Sequence, residues 1–208
     1  RLVVSVLSML FLSGPATAQC APAWSALGRG ANWEVRDFAV LDEDGPGPLP
    51  PALFVGGPFS KFTGLEIPRL VRWDGWEATP VGGGLESGEL DALLALPEPT
   101  GMIPPGLYAG GVISAAGGEP VNNLARWFDG EWHDVGGGLT SIRRVTIFAM
   151  AVFDEDGPGP LAPALFVGGQ FEQAGPVALE GIARWDGRTG STVGGGLSTG
   201  VPDGKMVV

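Results

Sequence analysis

Cysteine is nearly absent. Cys20 stands alone in 208 residues, so no internal disulfide can form and stability must come from packing. Histidine and tyrosine are as scarce, with His133 and Tyr108 the single examples. A zinc-type histidine cluster is thereby excluded, and a copper-radical oxidase lacks its Tyr, His and Cys ligands. Basic residues number 12 against 23 acidic ones, a formal charge of −11, and the one basic pair is Arg143-Arg144. Nucleic acid is therefore not an expected partner. Long apolar runs are missing too, apart from residues 2–12, which are too short to cross a bilayer as a helix. No segment carries a sustained helical period with caps.

What is present is glycine and proline, 36 and 19 residues, in a chain that is 44% apolar and only 17% charged. That composition opposes disorder and favours many short strands with frequent turns. The first residues read as a secretory signal peptide: Arg1, the apolar run, Ser13-Gly14-Pro15, then the A-x-A site Ala16-Thr17-Ala18. Cleavage is expected after Ala18, which makes residues 1–18 a signal peptide and the destination extracellular, cell-surface or periplasmic. No membrane span is expected after cleavage.

Four phrases recur in fixed order. Phe54-Val55-Gly56-Gly57-Pro58-Phe59 is echoed by Tyr108-Ala109-Gly110-Gly111-Val112-Ile113 and Phe166-Val167-Gly168-Gly169-Gln170-Phe171. Leu70-Val71-Arg72-Trp73-Asp74-Gly75 is echoed by Leu124-Ala125-Arg126-Trp127-Phe128-Asp129-Gly130 and Ile182-Ala183-Arg184-Trp185-Asp186-Gly187. Val81-Gly82-Gly83-Gly84-Leu85 returns at 135–139 and 193–197, and the acidic phrase at 39–49 returns almost verbatim at 151–161. Gly56, Gly110 and Gly168 are spaced by 54 and 58, as are Trp73, Trp127 and Trp185. Phrases in phase define a repeat.

Each unit predicts four strands. Strand one covers 37–41, 92–96 and 146–153, strand two ends in Gly-Gly, strand three carries the Arg-Trp phrase, and strand four leads into Val-Gly-Gly-Gly-Leu. Phe128, present only in the second unit, predicts a β-bulge. Units of four short strands, about 50 residues long and rich in glycine and aromatics, are the sequence signature of propeller blades. The expected fold is all-β, a partial β-propeller of three full four-stranded antiparallel blades with incomplete flanking strands. The propeller segment spans 19–208, with units at about 31–85, 86–139 and 140–197 and a fourth beginning at 198–208. Residues 24–30 align with strand four and predict the outer strand of an incomplete blade.

The phrases FVGGxF, (L/I)ARWDG and VGGGL resemble the repeats of bacterial secreted β-propeller proteins. Those repeats are similar to kelch and galactose-oxidase-type blades and to fungal cortical polarity markers. The resemblance covers nearly the whole chain from Trp24 onward; it implies architecture and leaves the ligand open.

Chemistry is sparse. His133 lies in a strand-four position, and no nucleophile elbow, phosphate loop or sialidase-type S-x-D-x-G-x-T-W loop is present. The expected function is therefore a non-enzymatic binding or scaffolding module with a protein or glycan ligand. Two alternatives stay open: a propeller glycan hydrolase or lyase with its acids in further blades, and a calcium-stabilised adhesion module. For the latter, Asp42 and Asp44, repeated as Asp154 and Asp156, place paired carboxylates ahead of a glycine as a calcium loop does. Arg72 and Arg184 are expected to pair with Asp74 and Asp186, two residues along the same strand face, or with a neighbouring blade. The irregular tryptophans, Trp33 and Trp76, are the expected ligand contacts.

Overall fold

The computed structural model describes residues 23–86 and 88–193. The signal segment, its cleavage point, Cys20 and the fourth-unit start at 198–208 lie outside the described residues. Among the described residues every regular element is a strand, and no helix is long and apolar enough to cross a membrane.

The first sheet is a meander of β1 (Asp37–Leu41), β2 (Ala52–Gly56), β3 (Leu70–Trp73) and β4 (Ala78–Pro80). A short β5 (Leu85–Glu86) follows. The second sheet runs β6 (Leu90–Leu96), β7 (Gly106–Gly111), β10 (Leu124–Phe128) and β11 (Glu131–Asp134), interrupted by the small hairpin β8 (Ala115–Ala116) and β9 (Glu119–Pro120). After β12 (Leu139–Thr140) the third sheet repeats the plan with β13 (Thr146–Phe153), β14 (Ala164–Gln170), β17 (Ile182–Trp185) and β18 (Gly190–Thr192). Its inserted hairpin is β15 (Gln173–Ala174) and β16 (Val177–Ala178).

The sheets stack in chain order, with β6 against β1 and β13 against β6. Period-2 alternation decides what lies between them. Ala39, Leu41, Phe54 and Leu70 leave the first sheet on one face and meet Leu90, Leu93, Leu107 and Ala125 of the second. The opposite face of the second sheet sends Ala92, Tyr108 and Leu124 against Ile147, Leu165, Val167 and Ala183 of the third. Central β7 is therefore buried at every residue. Burial pushes the Tyr108 hydroxyl up to about 12, and its hydroxyl donates to the Pro104 carbonyl at 2.7 Å.

The paired glycines have two separate jobs. A Cβ on Gly56 would fall 2.7 Å from Leu90, and one on Gly110 would fall 2.7 Å from Ile147, so the first glycine seats the next sheet. A Cβ on Gly57, Gly111 or Gly169 would strike the carbonyl of Glu34, Glu89 or Thr146 at 2.2, 2.2 and 2.1 Å. The second glycine thus clears the backbone entering strand one of its own unit.

Units are also clasped by their tails, a feature the sequence reading did not anticipate. Leu85 pairs with Ala116 and Leu139 with Ala174, so these two Gly-Gly-Gly-Leu tails each add a strand to the hairpin inserted in the following unit. Ala31 bridges to Phe62 in the same way. Arg69 and Asn123, both left-handed at φ 68° and 66°, reach the Leu85 and Leu139 carbonyls at 3.0 and 2.7 Å and pin the tails in place.

Two expectations are corrected. Residues 24–30 form no strand, and Trp24 is fully exposed whereas its counterpart Trp132 is buried. The repeat survives there only as the turn: Gly30 donates to Leu27 at 2.9 Å as Gly84 does to Val81 and Gly138 to Val135. A fourth strand needs a third to pair with, and among the described residues no strand precedes this segment. Phe128 is not a bulge either. It pairs in register with Glu131, because Asp129 and Gly130, at φ 52° and 82°, close a two-residue turn of the primed kind. The register shifts sit instead between Leu90 and Ala92 and between Ile147 and Ala149.

Candidate functional site

β1 delivers Asp42-Glu43-Asp44-Gly45 to the end of the first sheet, and the turn closes on itself. The Asp44 carboxylate accepts the Leu49 amide at 3.1 Å, and the Gly47 amide donates to the Asp44 carbonyl at 3.1 Å. A Cβ on Gly47 would lie 1.9 Å from Asp44 Oδ2, so any other residue there would displace that carboxylate. Asp156, Gly159 and Leu161 reproduce the arrangement at 3.1 and 3.2 Å. The near-verbatim acidic phrase is therefore a loop built around one carboxylate.

Glu43 points the other way, toward β3. Arg72 Nε meets Glu43 Oε2 at 2.5 Å, and Arg184 Nε meets Glu155 Oε2 at 2.6 Å. The expected pairing of Arg72 with Asp74 and of Arg184 with Asp186 is thus corrected. Asp74 accepts the amides of Trp76 and Glu77, and Asp186 those of Arg188 and Thr189, each at 2.8 Å. Those amides hold both carboxyls below the usual carboxylate range, with Arg72 and Arg184 adding to the effect. Arg126, whose unit lacks the acidic phrase, donates instead to the Pro105 carbonyl at 2.6 Å and lies 5.3 Å from the Phe128 ring. Burial lowers its pKa.

Trp127 of the second sheet completes the junction by donating its indole N–H to Glu43 Oε1 at 3.1 Å. Its ring lies over Gly82, where a Cβ would come within 2.0 Å of it, and tilts 5.4 Å from Trp132. Between this junction and the acidic turn opens a cleft of about 670 Å³. Leu41, Leu49, Leu96, Trp127 and Phe128 give it apolar walls, and Asp42, Glu43, Asp44, Glu98 and Asp129 outnumber Arg72 along its lining.

Asp42 and Asp44 are half-buried in that lining, each with one carboxylate oxygen buried and unpartnered. Asp156 carries the same orphan, whereas Asp154 accepts the Gly157 amide at 3.1 Å. Trp33 and Trp76 are exposed and line no part of the cleft. The aromatic wall comes from Trp127 and Phe128. Glu43 and Glu155 were missed, and one signal could have found them: Glu is present in the two units whose Arg has no other partner.

A second charged cluster ties the first strands together at the far end. Glu89 binds Arg36 and Arg144, both at 2.5 Å, while Arg36 also meets Asp91. The hydrogen bond from Arg144, reinforced by Arg36, holds Glu89 below its ordinary value of 4.5. A carboxylate so depressed stabilises the fold above that value and loses its contribution as pH falls through its folded pKa. Acid titration of the melting temperature is expected to turn down below about pH 4.5, and Arg144→Ala should flatten that descent. An unchanged profile in the variant would remove Glu89 from the account.

Comparison with protein-family models, curated proteins and solved structures finds no match for this chain.

Proposed function

We propose that this is an exported, non-enzymatic β-propeller-type repeat protein acting as a binding module, with the cleft between the first two sheets as its ligand site. Three stacked meanders with adjacent first strands support the propeller reading, and the Arg1 to Ala18 signal pattern supports export. The observation that carries the binding reading is the cleft itself. Its lining combines apolar and aromatic side chains with acidic ones, and Glu43 bridges Arg72 and Trp127 within it. Such a lining favours a ligand with an apolar face and hydrogen-bond donors or positive charge.

Trp127 makes the site self-reporting. Titration with oligosaccharides and with short cationic peptides is expected to change tryptophan fluorescence for one class, and Phe128→Ala should weaken that response about tenfold, on the order of 1.4 kcal/mol. No response to either class, or an unaltered response in the variant, would reject the site. Export is checked separately: the mature N-terminus of the secreted precursor should be Gln19.

The orphaned oxygens of Asp42 and Asp44 favour calcium as a second reading. Two carboxylates per turn fall short of the six to eight oxygens the ion takes, and a buried water meets the same need. Calcium is expected to leave the melting temperature unchanged. A rise that disappears in the Asp44→Asn, Asp156→Asn variant would instead establish the metal.

A further inference from the structure

Among the described residues the chain makes one kind of sheet-to-sheet contact twice and carries both halves of it a third time, unpaired. On the trailing face, Ala39, Leu41 and Phe54 of the first sheet are buried by the second. Their counterparts in the third sheet are Ala151, Phe153 and Phe166, aligned by register: Ala39 pairs with Phe54 as Ala151 pairs with Phe166. Leu41 is 5% exposed, yet Phe153 is 58% exposed. On the leading face, Leu93 is 7% exposed against the preceding sheet, while its counterpart Phe38 is 59% exposed, and Val35 and Val40 are exposed beside it.

Two finer details mark the open faces as matching halves. Gly56 and Gly110 each receive an aliphatic side chain from the next sheet, Leu90 and Ile147, whereas a Cβ on Gly168 would meet nothing within 4 Å. Val35 occupies the position of Leu90 and Ile147, and it is exposed. Likewise Glu155, already oriented by Arg184, repeats Glu43, and Trp73 repeats the Trp127 that donates to Glu43.

We infer that a second copy of this chain docks head to tail, seating Val35 on Gly168 and Trp73 on Glu155, and that two copies close reciprocally into a dimer. Heterologous contacts either close into a ring or run on as a fibre. Two copies supply six four-stranded sheets among the described residues, inside the range of about four to eight that propellers close with; that count rests on the propeller reading, whereas the head-to-tail contact does not. Each closure covers Val35, Phe38 and Val40 on one side and Phe153 on the other, which a lone copy leaves exposed beside the buried Val55 and Val71.

The internal geometry supplies the test. A Cβ on Gly110 lies 3.5 Å from the Cβ of Ile147, a separation suited to a disulfide. Val35→Cys with Gly168→Cys, in a Cys20→Ser background, is expected to oxidise to a discrete covalent dimer on a non-reducing gel. Sedimentation of the unmodified chain is expected to give twice the chain mass. Gly168→Leu, whose Cβ meets nothing within 4 Å in its own copy, should weaken dimerisation at least about tenfold while leaving its far-ultraviolet spectrum unchanged. A monomer at every concentration with no cross-link overturns the contact. A ladder of trimers and larger species overturns the closed ring.

Discussion

Gly138→Ala is expected to lower the unfolding free energy by about 3 kcal/mol or more, while Gly84→Ala, at the same repeat position, lowers it by about 1 kcal/mol. Both glycines are left-handed, at φ 72° and 88°, so an alanine pays the backbone penalty at either site. Only the second unit adds a collision. A Cβ on Gly138 would stand 2.1 Å from the Asn122 carbonyl oxygen, whereas one on Gly84 meets nothing within 4 Å. That carbonyl cannot retreat freely, because it accepts the Leu139 amide at 2.7 Å while the Asn122 side chain donates to Gly137 at 3.0 Å. Relief would require the tail to leave the β8–β9 neighbourhood, taking the Asn123 bond to Leu139 with it. Chemical denaturation of both variants is the check; equal losses would mean that the clasp contributes no more than its dihedrals.

Phase carried most of the architecture. The spacings of 54 and 58 located strand one of the first and third units to the residue, at Asp37–Leu41 and Thr146–Phe153. The small hairpins were legible by the same rule and went unread. Thr63-Gly64, Gly117-Gly118 and Gly175-Pro176 keep those offsets, and Thr63, Gly117 and Gly175 turn at φ 49°, 60° and 51°. Strands of two residues have too little apolar alternation to announce themselves, so only their turns could. The Arg72 partner was beyond reach for another reason. Intrastrand spacing favoured Asp74, but the β3–β4 loop consumed that carboxylate in capping two amides, and Glu43 reached Arg72 through the sheet from 29 positions away. Trp127 packs against Gly82, yet its indole N–H adds a polar role that burial patterns do not reveal. Side-chain partners across a sheet depend on register, and register was decided by loops of unlike length.

Leu90→Ala is expected to cost about 3 kcal/mol and Gly56→Ala about 2 kcal/mol, with the double variant milder than their sum by at least about 1 kcal/mol. Leu90 is completely buried and forms part of the core between the first two sheets. Deleting its side chain leaves a cavity that β2 and β6 cannot both move to fill, since each is held on two sides by hydrogen bonds or by the next sheet. Adding a methyl at Gly56 does the reverse: it enters within 2.7 Å of Leu90 Cδ2 and 3.2 Å of both Leu90 Cγ and Leu93 Cδ1. Combined, the new methyl occupies space the leucine has vacated and faces only Leu93. Coupling of that sign and size arises only if the second sheet rests on the glycine of the first, which is the contact that propagates the stack. Strict additivity would mean that the two residues do not touch, and both the stacking and the head-to-tail dimer that extends it would fall together.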